Sequence, residues 1–572
     1  MSAVLREPPV EADADVDYQS LRFDYRRHAD QDASTPVRHA AVVVGAGPVG
    51  LSLAIDLAQQ GQRVVLLDND NTLSTGSRAI CFAKRTLEIF DRLGCGERMV
   101  RKGVSWNVGK VFFQGEQVYE FNLLPEDGHA HPAFVNLQQY YVEGYLAERA
   151  ARLDNIDLRW NNKVVGVQQT DDHALLTIDT PEGSYALCAD YVAACDGSRS
   201  SVRQLLGQET QGRTFKDRFL IADVRMKLDF PAERWFWFDP AFHPNQSVLL
   251  HSQPDNVWRI DFQLGWDADP EHEKKPENII PRVRALLAAS PFKDAHFELE
   301  WASVYTFACM RMARFRHARV LFVGDAAHGV SPFGARGANS GVQDAENLAW
   351  KLAAVLRGDA PAALLDTYAS EREYAADENI RHSTRATDFI TPKSAVSRLF
   401  RDAVLQLSKH HPFARTLVNS GRLSVPAVLC ASPLNTPDAD GDAFAGAMVP
   451  GAAAADAPLP NAQGRVDWLL RQCAGRGFTA LVFGDGDAAA QSLRAVAAAG
   501  PGLRAVRVPL TPATLLAAQR YDAHDGTVYL LRPDQHVCAR WRQPSAAQIG
   551  VAQARALGDA LGGERRRDAA QE

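Results

Sequence analysis

Short apolar runs alternate with amphipathic stretches along this chain, and their order predicts its architecture. Ala40 to Val44 is apolar at every position, the pattern of a strand buried on both faces. A glycine-rich turn follows, then a helix from about Val49 to Gln60, with Gly61 placed to end it. Arg63 to Leu67 reads as a second strand, closed by Asp68. Strand, turn, helix and strand within about 30 residues make one βαβ unit. Lys163–Gln169, Ala174–Asp179 and Ser184–Ala189 alternate with period two between the turns Asp171-Asp172 and Pro181-Glu182-Gly183, and read as a β-meander. Tyr191 to Cys195 is predicted to return as a separate buried strand. Residues 210–310 alternate again and should form a largely antiparallel sheet. Trp258–Leu264 is the clearest case, with Arg259, Asp261 and Gln263 on one face and Trp258, Ile260, Phe262 and Leu264 on the other. Arg319 to Val323 predicts another strand. A long helix then carries Val342, Ala345, Ala349, Leu352 and Leu356 on one side. The Pro-, Ala- and Gly-rich stretch 425–465 reads as a linker to a small α/β domain with strands at Phe478–Phe483, Ala505–Val508 and Thr527–Leu531.

Composition narrows the classes of function. The chain has 572 residues, 46% hydrophobic and 23% charged, as expected of a globular protein of several domains. A net charge of −7 gives no electrostatic reason to expect nucleic acid or an anionic membrane as partner. The short run Arg565-Arg566-Arg567 reads as a solvated end. Eight scattered cysteines form no C-x-x-C pair and lie near no His at ligand spacing, so no metal site is expected. They read as free thiols in a reducing compartment. The acidic first 36 residues lack an apolar leader, and no apolar run is long enough to span a bilayer, which makes the cytoplasm the expected location.

The turn between the first strand and helix is Gly45-Ala46-Gly47-Pro48-Val49-Gly50, a G-x-G-x-x-G fingerprint. Its first Gly makes the tight turn, its second lets backbone approach a pyrophosphate, and its third lets helix and strand pack closely. Asp68 is placed to accept hydrogen bonds from a ribose diol. Alone, the turn fits any dinucleotide. Two later segments point to FAD. Asp196-Gly197 follows a strand and opens a helix. Gly324-Asp325 follows another strand and leads through Pro332-Phe333-Gly334 and Gly337-Ala338-Asn339 into the long helix. A glycine-rich turn that opens a helix presents free N–H groups suited to the electron-rich edge of a reduced flavin. The Asp325 carboxylate can take ribityl hydroxyls.

In their order and spacing these segments resemble the class A flavoprotein monooxygenases, the family of para-hydroxybenzoate hydroxylase and phenol hydroxylase, over roughly residues 38–400. Within that family the chain is most similar to phenolic hydroxylases of the 3-(3-hydroxyphenyl)propionate type. Gln139-Tyr140-Tyr141-Val142-Glu143 resembles the family's Q-x-x-[LV]-E, and Ser77-Arg78-Ala79 with Arg85 resembles its segment after the second strand. The resemblance implies FAD contacts at Gly45, Gly47, Pro48, Val49, Gly50, Asp68, Arg78, Gln139, Asp196, Gly324, Asp325, Pro332, Gly334, Gly337, Ala338 and Asn339. It also implicates Asp196, with Arg199 and Arg203, in handling NADH or NADPH. Asp68 stands where Glu is usual. The implied reaction is hydroxylation of a small phenol by O2 through a flavin C4a-hydroperoxide, in aromatic catabolism. A tailoring oxygenase on a polyketide or quinone-like ring is the alternative, and a flavin-binding regulatory or assembly protein is the alternative of another class.

The fold class expected is therefore α/β: a Rossmann-type FAD-binding domain (37–205 and 311–400) with an inserted, mostly antiparallel substrate sheet (206–310). An extended arm (1–36) precedes it. A helical segment and linker (401–445) lead to a domain (446–572) that resembles the thioredoxin-like domain of phenol hydroxylases without its C-x-x-C. That domain is expected to serve structure or a subunit contact, with a homodimer as candidate assembly. On the substrate side, Arg259 is a candidate for holding a carboxylate, and Tyr305 and His251 for polarising a phenol. Each has a structural alternative, as a paired charge or a satisfied core group. His328 reads as structural support. Trp235-Phe236-Trp237-Phe238 reads as an aromatic strand, with Asp239 standing where a halogenase signature would have Ile.

Overall fold

The computed structural model describes residues 17–561 except 75, 77, 419–422, 424, 462 and 560. Residues 1–16 of the expected arm, Ser77 and the run Arg565-Arg566-Arg567 lie outside the described residues. The rest of the arm is held against the first domain. Tyr18 is buried between Tyr141 and Tyr145 at 5.6 and 5.7 Å, and Phe23 stacks on Trp160 at 4.2 Å.

The first sheet runs Arg316–His317, Val320–Phe322, Gly183–Ala194, Val37–Val44, Val64–Leu67, Ile156–Arg159. All neighbours but the first pair are parallel, so both faces must be covered. Helix Pro48–Gln59, buried from Gly50 to Ala58, packs against the helices Gly337–Arg357 and Gln139–Ala151. The meander Lys163–Gln169, Ala174–Thr180 extends from the same sheet. Where two strands were predicted, Gly183–Ala194 is one strand of 12 residues. The two predicted segments join through Asp190, which Arg38 on the neighbouring strand meets at 2.7 Å.

The second sheet has eight strands: His328–Gly329, Glu298–Met312, Thr210–Arg225, Val257–Leu264, Ser247–Ser252, Glu233–Phe238, Val108–Phe113, Glu116–Asn122. Its pairs are antiparallel save Glu233–Phe238 with Val108–Phe113. The sheet therefore begins earlier in the chain than residue 206, because the hairpin 108–122 returns to its edge. The outer face carries Leu220, Trp237, Val248, Leu250, Trp258, Ile260 and Phe262 against helix Pro276–Ala288. The inner face looks toward the first domain.

The C-terminal sheet runs Leu503–Val508, Phe478–Phe483, Val528–Leu531, Val537–Trp541, with the first pair parallel and the others antiparallel. With helices Asp487–Ala498, Leu515–Arg520 and Ala546–Ala556 this gives the thioredoxin-like order. Val537–Trp541 was missed in the sequence because all five residues are buried and show no alternation. Cys473 is buried and its thiol is pushed up to about 12 by that burial, which leaves it unreactive at neutral pH. The stretch 425–465 is not a free linker. Ala427, Leu429, Leu434, Ala452, Ala454, Ala457 and Leu459 are buried, and its backbone bonds to the C-terminal hairpin through Gly451 N to Val537 O (2.7 Å) and Ala454 N to Gln535 O (2.9 Å). Small side chains let this irregular chain approach closely enough for its polar backbone to be satisfied there.

The turn of that hairpin is inserted into the first domain. Arg532, Asp534 and Gln535 are buried. Arg532 bonds Glu371 at 2.6 and 3.1 Å, and Asp534 accepts from Trp350 Nε1 at 3.0 Å. Lys351 reaches Glu371 at 2.7 Å. Arg85, expected near the flavin, belongs to this cluster: it bonds Glu346 at 2.9 Å and the Asp534 carbonyl at 2.9 Å. A fully buried guanidinium needs carboxylate partners, and the inserted turn helps supply them.

Among the described residues no helix is long and apolar enough to cross a membrane, and no cluster of three or more His, Cys, Asp or Glu could hold a metal.

Candidate active site

The glycine turn, the Asp196 segment and the Gly324 segment meet at the ends of three adjacent parallel strands, Val37–Val44, Gly183–Ala194 and Val320–Phe322. Gly45 has φ +103°, and a Cβ there would lie 2.6 Å from Cys195 O. A Cβ on Gly50 would lie 1.8 Å from Gly45 O. A Cβ on Gly47 would meet nothing within 4 Å, so open space faces the backbone where a pyrophosphate would approach. Pro48 occupies the first helical turn, and Val49 packs on Gly324 and Gly341.

Asp68 fixes the turn from the side. Its Oδ2 accepts from Ala46 N at 2.6 Å and its Oδ1 from Asp70 N at 2.8 Å. Burial pushes its carboxyl up to about 6, against those two hydrogen bonds. A carboxylate accepts from a ribose diol better than the protonated acid does. FAD affinity should therefore weaken as pH falls from 7 to 5, and Asp68→Asn should flatten that dependence. Flavin fluorescence titration across the range checks it, and an unchanged pH profile in the variant would count against this role.

Asp196 lies against the start of helix Ser201–Leu205, whose cap is Ser200, and accepts from Val202 N (3.0 Å) and Ser201 Oγ (3.1 Å) through one oxygen. Its other oxygen, Oδ1, is buried without a partner. A buried orphan acceptor is costly, and a bound cofactor hydroxyl would satisfy it. Arg203 is spent within the fold, donating to Ala326 O (2.8 Å) and Ser198 O (2.7 Å), so it ties the two flavin segments together. Arg199 is exposed.

Gly324 has φ +63° and donates its N–H to Asp344 Oδ2 at 3.1 Å. His328 Nε2 lies 2.6 Å from the same oxygen, and Arg372 Nε reaches Oδ1 at 2.5 Å. This buried triad, not contact with a ligand, explains His328. Asp325 remains accessible at the floor of the cleft, though protein surrounds it closely enough that desolvation raises its carboxyl, with His328 and Arg78 opposing. Gly334 has φ +98°, and the loop Pro332–Ala335 closes with Ala335 N to Pro332 O at 3.0 Å. Helix Gly337–Arg357 has no side-chain cap, and its first internal bond is Ser340 N to Arg336 O. The N–H groups of Gly337, Ala338 and Asn339 are thus outside the helical ladder.

Two expected contacts act through the protein itself. The Asn339 side chain accepts from Ala83 N (2.8 Å) and donates to Cys81 O (2.9 Å) and Ala335 O (2.6 Å), which leaves its backbone to face the cleft. Gln139 accepts from Ala79 N (3.0 Å) and donates to Ser74 Oγ (3.0 Å) and Glu143 Oε1 (2.8 Å), shaping the segment that carries exposed Arg78.

The inner sheet face roofs this cleft. Phe333 of the loop packs on Phe219 and Phe307 at 5.0 and 5.6 Å. A Cβ on Gly76 would lie 2.5 Å from Trp301, so the segment before Arg78 runs directly beneath the sheet. Arg259 is buried and its Nε and Nη2 bond Asp223 at 2.8 and 2.7 Å. Its charge is met by Asp223, as a buried guanidinium requires, which is the paired-charge alternative for Arg259. His251 is buried with Nε2 at 3.7 Å from Asp261 Oδ2, and burial lowers it to about 4, so it is neutral at pH 7. Burial raises Tyr305 well above its ordinary value, so it keeps its proton and can donate but not act as a base. Sequence reading missed Arg234, which shares this face with Phe236 and Phe238 by the period of two in its aromatic strand.

The family of the FAD binding domain (FAD_binding_3) matches residues 38–383, which includes all of these segments. The chain belongs to that family. Among relatives of this FAD-binding chain is a Rhodococcus jostii (strain RHA1) protein named probable NADH-specific resorcinol 4-hydroxylase, 35% identical over 58% of this chain and 62% of its own length. The para-nitrophenol 4-monooxygenase of Pseudomonas sp. (strain WBC-3) is 30% identical over 58% of this chain and 82% of its own. The alignment spans less than two thirds of the first of these. The flavin-dependent monooxygenase PieE, solved with FAD and substrate, superposes with a TM-score of 0.75 over 91% of this chain and 100% of its own, at 21% identity. That likeness covers the C-terminal domain as well as the FAD-binding fold.

Proposed function

We propose that the protein is an FAD-dependent hydroxylase of a phenolic ring, using O2 and NADH or NADPH, in the catabolism of aromatic compounds in the cytoplasm. The observation that carries this reading is the placement of an apolar, aromatic sheet face over the cleft where the three FAD segments converge. Relatives named for resorcinol and para-nitrophenol support a small phenol as substrate, and the name of the first supports NADH. Flavin, when bound, supplies the transfer of two electrons from nicotinamide to O2.

The chain's own residues bind, orient and exclude water. The N–H groups at Gly337 to Asn339 and the glycine turn supply fixed donors to an electron-rich cofactor. Phe219, Phe236, Leu249, Phe307 and Phe333 make an apolar chamber that shields the reacting ring from solvent. Tyr305 offers a hydroxyl that stays protonated, so it adds no anion beside the ring, and His251 stays neutral, so it adds no cation.

The test is oxidation of NADH and NADPH by the FAD-loaded protein with a panel of phenols and larger fused rings. One nicotinamide should be consumed markedly faster with a small phenol. Stimulation by large fused rings alone would move the substrate to that class. No stimulation by any ring would contradict a hydroxylase.

A further inference from the structure

The inner sheet face carries two kinds of polar side chain. Arg259 and Asp223 close on each other. Arg234 forms no such pair among the described residues, and His251 has only long contacts, to Cys81 Sγ at 4.0 Å and to Asp261 Oδ2 at 3.7 Å. Register sets Arg234 directly across from His251, and His251 across from Arg259; Asp261 faces Leu249 on the next pleat of the same face. The His251 to Asp261 separation of 3.7 Å is too long for a good hydrogen bond. Arg234 Nε and Asp261 Oδ1 are both buried without partners. Arg234 makes no ion pair among the described residues, and the nearest aromatic ring over which it sits, Trp106, is 6.0 Å away. Arg234 and Asp261 are half-buried, but these two atoms are shielded from water, and an unmade hydrogen bond on such an atom is costly. Two of them on one pocket face point to a partner that comes and goes.

We propose that Arg234 is the specificity-determining residue of the pocket, and that it holds the oxygen of an ionised phenol. This rests on the hydroxylase reading and names its substrate as an acidic phenol. With Arg259 neutralised by Asp223, Arg234 is the cation of this face without an ion-pair partner, and Asp261 the carboxylate without one; Cys81 and Tyr305 keep their protons through burial and add no further anion. His251 is neutral, held so by burial with Arg234 adding. The proton of the phenol leaves to solvent on binding, since a guanidinium has no acceptor site. The ring that remains is richer in electrons at its ortho and para carbons, where a hydroxyl would be placed.

A binding measurement without nicotinamide separates this from turnover. The probe is 4-nitrophenol, whose ionised form is coloured, added to FAD-loaded protein at a series of pH values. In the wild type, bound probe should ionise at least about one pH unit below free probe, the equivalent of about tenfold in preference for the anion. In Arg234→Gln that shift should vanish and affinity for the anion should fall about tenfold, while the flavin spectrum shows FAD still bound. If the Gln variant loses FAD, Arg234→Met, of similar volume and without charge, carries the same comparison. Equal ionisation in wild type and uncharged variant would overturn the assignment of Arg234 and leave the hydroxylase reading standing. Failure of the wild type to bind 4-nitrophenol or any other phenol would instead count against that reading itself.

Discussion

Arg532→Met is expected to destabilise the whole chain by about 3–5 kcal/mol, the cost of removing one partner from a buried ion pair. Arg532 is fully buried and bonds Glu371 and Asp534; Lys351 and Asn347 complete the Glu371 site. Glu371 lies on helix Leu364–Ile390 of the first domain, and Arg532 lies in the C-terminal domain. The single substitution leaves two carboxylates short of countercharge, whereas Arg532→Met with Glu371→Leu removes a pair and should cost less than the two single changes added. Thermal unfolding followed by Trp fluorescence and by release of bound flavin checks both, because the two signals should move together. An unchanged midpoint would mean that the C-terminal domain rests on the first domain without stabilising it. The pH dependence has a definite sign. Burial raises the Glu371 carboxyl, but Arg532 and Lys351 outweigh it and hold the folded value far below the ordinary range; Asp534 is likewise held down by Arg532 and His536 against burial. A carboxyl depressed on folding contributes stability above its unfolded value, near about 4, and that stability drains as pH falls toward the folded value. The wild type should therefore lose stability steeply below about pH 4.

The second large effect separates two glycines three residues apart. Gly50→Ala should yield no properly folded protein, because the new methyl would sit 1.8 Å from a backbone oxygen that cannot move without opening the turn. Gly47→Ala should fold with the wild-type midpoint, because nothing lies within 4 Å of its methyl, yet lose FAD affinity by at least about tenfold, since that open space is where backbone must meet the pyrophosphate. Flavin content per purified chain and a titration of the apoprotein with FAD measure the difference. A Gly47→Ala protein that keeps its full flavin would place the pyrophosphate elsewhere.

Much of this was legible in the chain. The first βαβ unit, the glycine turn and the three-segment order carry short-range rules that tertiary context does not override. The role of Asp344, by contrast, had no local signature: it is a mid-helix acid that matters because Gly324 and His328 of one segment and Arg372 of another converge on it. Arg259 was read from its strand face, but its partner Asp223 lies on a neighbouring strand, and register is not written in either segment. The packing of the linker stretch had no local signature for a related reason. Composition marks irregular backbone, yet says nothing of whether another chain segment lies close enough to bond it. Arg234 escaped notice because one cation in an aromatic strand is ordinary; its importance follows only from what it lacks.

The most direct test of the account is the fate of molecular oxygen. With the FAD-loaded protein, its preferred nicotinamide and a phenol that stimulates oxidation, supplied under oxygen-18 gas, mass spectrometry should find one labelled oxygen in a new ring hydroxyl. A hydroxylated product without label, or nicotinamide oxidation with no hydroxylated product from any phenol, would contradict it.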